Sequence, residues 1–191
     1  MAQLKMYWLP GTKIESFDLP DGYSISNYQT EEDKLAWCEC CRNGLIADDA
    51  GVEAFDRAIL GRKDVCPERD VFFLDHAGQH IGTVTAYVHR DENIGDMHMV
   101  AIRTDHRGRG LAKYLNMITL EHLKDTGIRY IALTTDEWRK GAIKSYVRGG
   151  FCPVEYDTGM EDRWLKVMRD LGIAKLQMLD NDGNPYKLLA I

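Results

Sequence analysis

The chain has 191 residues, enough for one domain with a sizeable buried core and short for two. Its 45% hydrophobic and 28% charged residues are ordinary for a globular protein. The net charge of −6 argues against a nucleic-acid or membrane-surface binder, because both need a basic face.

The N-terminal stretch reads as neither a signal peptide nor a membrane span, so a cytoplasmic location is expected. The cysteines are Cys38, Cys40, Cys41, Cys66 and Cys152. They are odd in number, three of them crowd together, and no partner pair stands at zinc spacing. Reduced thiols and no metal site are the expectation.

Tyr23–Tyr28 alternates like a strand. Thr30 is placed to cap a helix running to about Arg42, with acidic residues in its first turn. A short helix is expected over about Val52–Leu60. Val71–His76 and His80–Arg90 read as strands of a hairpin turning at Ala77-Gly78-Gln79, and Asp96–Arg103 as a third strand completing a meander. After the loop Thr104–Arg109, Leu111, Leu115, Ile118 and Leu123 recur at helical spacing. Strand Tyr130–Thr134, helix Glu137–Arg148 and strand Phe151–Tyr156 follow, then a helix over Glu161–Leu171. Lys175–Leu179 and Tyr186–Ile191 flank a polar turn and read as a hairpin. The order predicts a mixed α/β sheet, with residues 1–172 as the domain and 173–191 as a hairpin-like appendage.

The informative loop is His106-Arg107-Gly108-Arg109-Gly110-Leu111-Ala112, between a strand and a helix. Free amides at a helix start attract an anion, glycines let a phosphate approach, and two arginines add charge, so the loop suits a diphosphate. A nucleoside-triphosphate loop would need Lys and Ser or Thr after the last glycine, where Leu111 and Ala112 stand. A dinucleotide fingerprint would need glycine at Lys113. Taken alone, the loop also reads as a glycine turn with solvated arginines.

Arg107-x-x-Gly110-x-Ala112 resembles the Arg/Gln-x-x-Gly-x-Gly/Ala signature of the GCN5-related N-acetyltransferase (GNAT) superfamily. Arg139 to Phe151, with Ala142, Tyr146 and Gly150-Phe151 in register, resembles its later motif Asn-x-x-Ala-x-x-x-Tyr-x-x-x-Gly-Phe. The resemblance covers roughly Tyr23–Tyr156. It implies a mixed, mostly antiparallel central sheet flanked by helices, with a splayed strand pair for CoA, and acetyl-CoA as cosubstrate.

Residue by residue, the resemblance implies that Val100 and Ile102 pair with the pantetheine arm and that Arg107, Gly108, Arg109, Gly110, Leu111 and Ala112 hold the diphosphate. It makes Tyr146 the general acid for the departing thiolate, the alternative being a packed, locally bonded tyrosine. Trp138, Ala142 and Tyr146 lie four apart, on one helix face. His98, four residues before Ile102 on what reads as the same strand face and two after Asp96, the other candidate catalytic residue here, is similar in place to histidines that arylalkylamine acetyltransferases carry on this strand. His98 is either the base that frees the amine or a packed imidazole. Arg139 replaces the usual asparagine, and is placed to reach a phosphate or to face solvent.

The implied reaction is direct acetyl transfer to a primary amine, expected on a small molecule. An acceptor on a protein or peptide, or a non-catalytic acyl-CoA sensor, are the other readings. Asp48, Asp49, Glu53 and Asp56 permit a cationic acceptor or form a solvated helix face. The C-terminal hairpin raises strand exchange in a homodimer.

Overall fold

The computed structural model describes residues 2–191. Leu4–Trp8 forms β1, a strand not anticipated from the sequence. All its residues but Lys5 are buried, and a strand covered on both faces shows no alternation to reveal it. β2 (Tyr23–Asn27), β3 (Val71–His76), β4 (Gln79–His89) and β5 (Ile94–Ile102) form an antiparallel run. At the β3–β4 turn Ala77 and Gly78 take φ of 50° and 74°, the left-handed pair that a tight hairpin needs.

α1 (Glu32–Cys41) starts without the expected Thr30 cap. Asp33 instead reaches back, its Oδ2 accepting the amides of Gln29 and Thr30 at 2.7 and 2.9 Å. The Asp33 amide, which a Thr30 cap would have received, donates instead to the Thr30 carbonyl at 3.1 Å. α2 (Glu53–Phe55) continues into a π-turn over Asp56–Leu60, closed by the Gly61 amide on the Asp56 carbonyl at 2.8 Å. α3 (Pro67–Asp70) is one unanticipated turn.

The remaining elements are α4 (Ala112–Leu123), β6 (Ile131–Thr135), α5 (Lys140–Arg148), β7 (Cys152–Glu155), α6 (Met160–Leu171), β8 (Lys175–Asp180) and β9 (Pro185–Ala190). The strands make one sheet in the order β2-β3-β4-β5-β6-β1-β7-β8-β9. Only β5/β6 and β7/β8 pair parallel, so the fold is the mixed, mostly antiparallel α/β sheet expected. Residues 173–191 extend the sheet beyond β7, through Val154 and Glu155 beside Leu179 and Asp180. Among the described residues no helix is long and apolar enough to cross a membrane.

One face packs under α4, α5 and α6 around Leu115, Leu120, Ile143, Trp164 and Met178. The other packs under α1 and α2 around Trp37, Phe55, Ile59 and Phe73.

β5 has two irregularities that open the sheet. First, β5 and β6 pair only at Gly95–Ile131 and Asp96–Ala132, and then part. Gly95 makes the vertex possible, since a Cβ there would lie 2.8 Å from Ile128 Cδ1 and 3.1 Å from Leu123 Cδ1. Second, the β4–β5 register slips: Thr83 faces Ala101, but Thr85 faces His98. β5 therefore carries one extra residue, with Met99 at a left-handed φ of 52°. The bulge corrects the expectation that His98 and Ile102 share a face. Val100 and Ile102 pack with the α4 side, whereas Met99 and Ala101 pack with the α1 side. His98 lies on the same side as Ala101, because Thr83 and Thr85 share a face.

Candidate active site

The split in the sheet opens a cavity of about 980 Å³. Its lining joins α4 and α5 residues from one face to Cys41, Asn43, Gly44 and Leu45, at and after the end of α1 on the other. The cavity therefore passes through the sheet. Beside it, Met99 and Val100 have no register partner on β4, and β6 has already diverged, so this stretch of backbone pairs with no neighbouring strand.

Of the residues singled out in the sequence, Val100, Ile102, Arg107, Gly108, Arg109, Gly110, Leu111, Ala112, Arg139 and Tyr146 line this cavity together. The loop turns into α4 at Ala112, so the unpaired amides of a helix start face the space. Gly108 and Gly110 take φ of 76° and 72°, and nothing lies within 4 Å of where their side chains would begin. Backbone conformation demands glycine here, and the open room beside it is what a diphosphate would use.

Charge agrees. Lys13, Arg107, Arg109, Lys113, Arg139, Lys140, Lys144 and Arg148 line the cavity, against Glu15 as the lone acid. In a chain of net charge −6, this concentration marks an anionic ligand. Lys140, Lys144 and Arg148 went unnoticed in the sequence, although their spacing of four places them on one face of α5.

The individual arginines behave differently from expectation. Arg107 turns its guanidinium inward, its Nε donating to the Ile102 carbonyl at 2.9 Å and its Nη atoms to the carbonyls of Asn43 and Arg42 at 3.3 and 3.2 Å. Arg109 donates to the Asp105 carbonyl at 3.0 Å. Arg139 neither reaches towards the loop nor lies in solvent. It bonds Asp136 at 3.2 Å and the Gly44 carbonyl, and lies over the Trp138 ring. α5 begins at Lys140, so Trp138 precedes the helix and is exposed, rather than sharing a face with the buried Tyr146.

Tyr146 packs edge-on against Phe151. Burial pushes its phenol up to about 12, with Arg139 pulling weakly the other way. It therefore holds its proton throughout the neutral and mildly alkaline range.

His98 and Asp96 are not brought onto the cavity wall. They sit on the α1 face with Arg62, Tyr87 and His89. Burial, with Arg62 nearby, pushes His98 down to about 4, so the imidazole is neutral at pH 7. That is the form a base needs, though a weakly basic one. Its Nε2 is buried without a partner. Burial opposes the Asp96 charge, yet His89 at 3.2 Å, the nearby His98 and the Tyr87 hydroxyl at 2.9 Å hold its carboxyl below the usual range. Three of the four acids considered for a cationic acceptor serve local structure: Asp48 accepts the Asn43 amide, Glu53 the Gly51 amide, and Asp56 pairs with Lys34. Among the described residues no cluster of His, Cys, Asp or Glu is placed to hold a metal ion.

Residues 18–151 match the family described as "Acetyltransferase (GNAT) family". The chain belongs to this family. Among curated GNAT relatives it is 29% identical over 152 residues to mycothiol acetyltransferase of Streptomyces coelicolor, covering 78% of this chain and 49% of the relative. It is 29% identical over 147 residues to the enzyme of that name from Thermomonospora curvata, covering 75% and 48%. The chain thus spans about half the length of the curated relatives it matches.

In fold it is similar to a GCN5-related N-acetyltransferase from Sphaerobacter thermophilus, with TM-score 0.60, 17% identity, and coverage of 80% of this chain and 49% of that one. It is also similar to diaminobutyrate acetyltransferase of Paenibacillus lautus in complex with L-2,4-diaminobutyric acid and coenzyme A. There the TM-score is 0.53 and the identity 16%, with coverage of 66% and 73%.

GNAT membership gives the glycine loop a direct test. Gly110→Ala forces an L-residue to φ +72° at a cost of about 1–2 kcal/mol, and sets a methyl group in the open space. The backbone strain is the same with and without ligand and lowers folding stability. The methyl group, standing where a diphosphate would approach, is expected to weaken CoA affinity about tenfold in calorimetry, or about 1.4 kcal/mol. Unchanged affinity would show that the phosphates lie elsewhere.

Proposed function

We propose that this protein transfers an acetyl group from acetyl-CoA to a primary amine of a small molecule, by direct attack in a ternary complex. The observation that carries the reading is the through-sheet cavity, cationic and glycine-lined at the helix start, with Tyr146 on its wall. It supports a donor bound from the α4 side that presents its thioester at the split.

The neutral amine attacks the thioester carbon and a C–N bond forms. The C–S bond then breaks, and Tyr146 gives its proton to the departing sulfur. Burial penalises a bare thiolate as it does a phenolate, so the two proton affinities rise together. The unpaired backbone at Met99 and Val100 is available to polarise the thioester oxygen. His98, through water, or water alone, would take the proton of the amine.

Cys41 lines the same cavity, but burial raises its thiol well above the ordinary value and no base adjoins it. A covalent acetyl-enzyme is therefore not invoked. The relatives named for mycothiol acetylation favour a small acceptor over a peptide.

Release of free thiol from acetyl-CoA tests the reading, with a panel of diamino acids, amino sugars, polyamines and peptide N-termini. Turnover with small amines is the expected result. Turnover with peptides alone would move the acceptor class, and acetyl-CoA binding without turnover on any amine would leave a sensor.

A further inference from the structure

Two arginines hold the turn that follows α1. From the end of β5, Arg107 bonds the carbonyls of Arg42 and Asn43, and Asn43 Nδ2 adds a bond to Thr104 Oγ1 at 3.1 Å. From the loop after β6, Arg139 bonds the Gly44 carbonyl while its Nε holds Asp136 at 3.2 Å. Its guanidinium carbon lies 4.5 Å from the centre of the Trp138 ring. The Asn43–Gly44 turn is thus tied to both diverging strands and spans the split on its α1 side.

The turn takes φ of 57° at Asn43 and 150° at Gly44, conformations that asparagine and glycine adopt readily. Gly44 leaves no more than a methyl-sized space before Arg139 and Trp138. A Cβ at Gly44 would stand 3.6 Å from Arg139 Nη1 and Nη2 and from Trp138 Cη2, which is ordinary contact distance.

We propose that Arg139, by clamping Gly44 across the split, sets the length of acyl group that the cavity accepts. The inference rests on the acyl-CoA reading above and adds to it a determinant of donor specificity. An acyl group on a CoA held at the helix start of α4 projects through the sheet towards the far wall. That wall is Cys41, Gly44 and Leu45, and every added methylene has to find room against it. The salt bridge to Asp136 and the stacking on Trp138 keep the clamp in one place, so the wall is fixed rather than yielding.

Arg139→Ala and Arg139→Lys test this with acetyl-, butyryl- and hexanoyl-CoA as donors. Lysine keeps the charge but lacks the rigid guanidinium fork that holds Asp136 and Gly44 from separate nitrogens and lies over Trp138. Both variants should raise the hexanoyl-to-acetyl ratio of kcat/KM about tenfold or more, the scale on which a pocket discriminates methylenes. If the wild type binds without turnover, the same ratio is taken from dissociation constants. An unchanged ratio in both variants overturns the proposal. So does a loss of CoA affinity in Arg139→Ala that Arg139→Lys restores with the ratio unmoved, which would make Arg139 a phosphate contact. A wild type that binds no CoA in calorimetry would instead remove the underlying acyl-CoA reading, and the proposal with it.

Discussion

Tyr146→Phe is expected to lower kcat about a hundredfold and to leave KM for acetyl-CoA nearly unchanged, because general acid catalysis contributes about 10²–10⁴-fold. The substitution removes one oxygen from a ring that stays packed against Phe151, so folding should be untouched. The pH profile adds a second constraint. An ordinary phenol titrates near 10, but burial holds Tyr146 near 12. The acid therefore remains protonated through pH 10, and no alkaline loss of rate from this group should appear below that point. A variant with wild-type kcat across the whole range would remove Tyr146 from the chemistry.

Trp37→Ala is expected to cost about 3–5 kcal/mol, the usual range for emptying a buried aromatic site. Trp37 is fully buried and packs edge-on to Phe55 at 5.3 Å. In a protein of this size the loss corresponds to a drop in Tm of about 6–20 °C. Trp37→Phe should recover most of it, because the Trp37 Nε1 is buried without an acceptor and phenylalanine discards that unpaired donor. Thermal melts of both variants decide the matter; equal losses would mean that a phenyl ring cannot refill the space the indole occupies. The consequence for function is local, since α1 delivers Cys41 and the Asn43–Gly44 turn to the cavity.

The shape of the loop at Arg107–Ala112 was legible because it is local: two glycines at positive φ lead into a helix that starts at Ala112. The meander and the later helices were legible through alternation and fourfold spacing. The bulge was not. From Met97 to Ile102 every residue but His98 is apolar, so a slip of one position leaves no polar side chain visibly out of place. That single residue decides where His98 points, which is why its placement beside Ile102 failed. The bonds of Arg107 and Arg139 were hidden for another reason. They join residues 64 and 95 positions apart, and no local pattern encodes such pairs. Thr30 looked like a cap because hydroxyls commonly serve, but the Asp33 amide bonds the Thr30 carbonyl instead.

The position of β1 bears on how the domain is made. Its five residues pair with β6 at Ile131–Thr135 and with β7 at Cys152 and Pro153, so a segment made early waits for partners made late. At about 5–20 residues per second of synthesis, the wait is on the order of 6–25 s, with apolar Met6, Tyr7 and Trp8 uncovered meanwhile. The antiparallel run β2 to β5 has no such delay and can assemble from neighbours. The sheet should therefore close in two stages, with the groove between β5 and β6 among the last features to form.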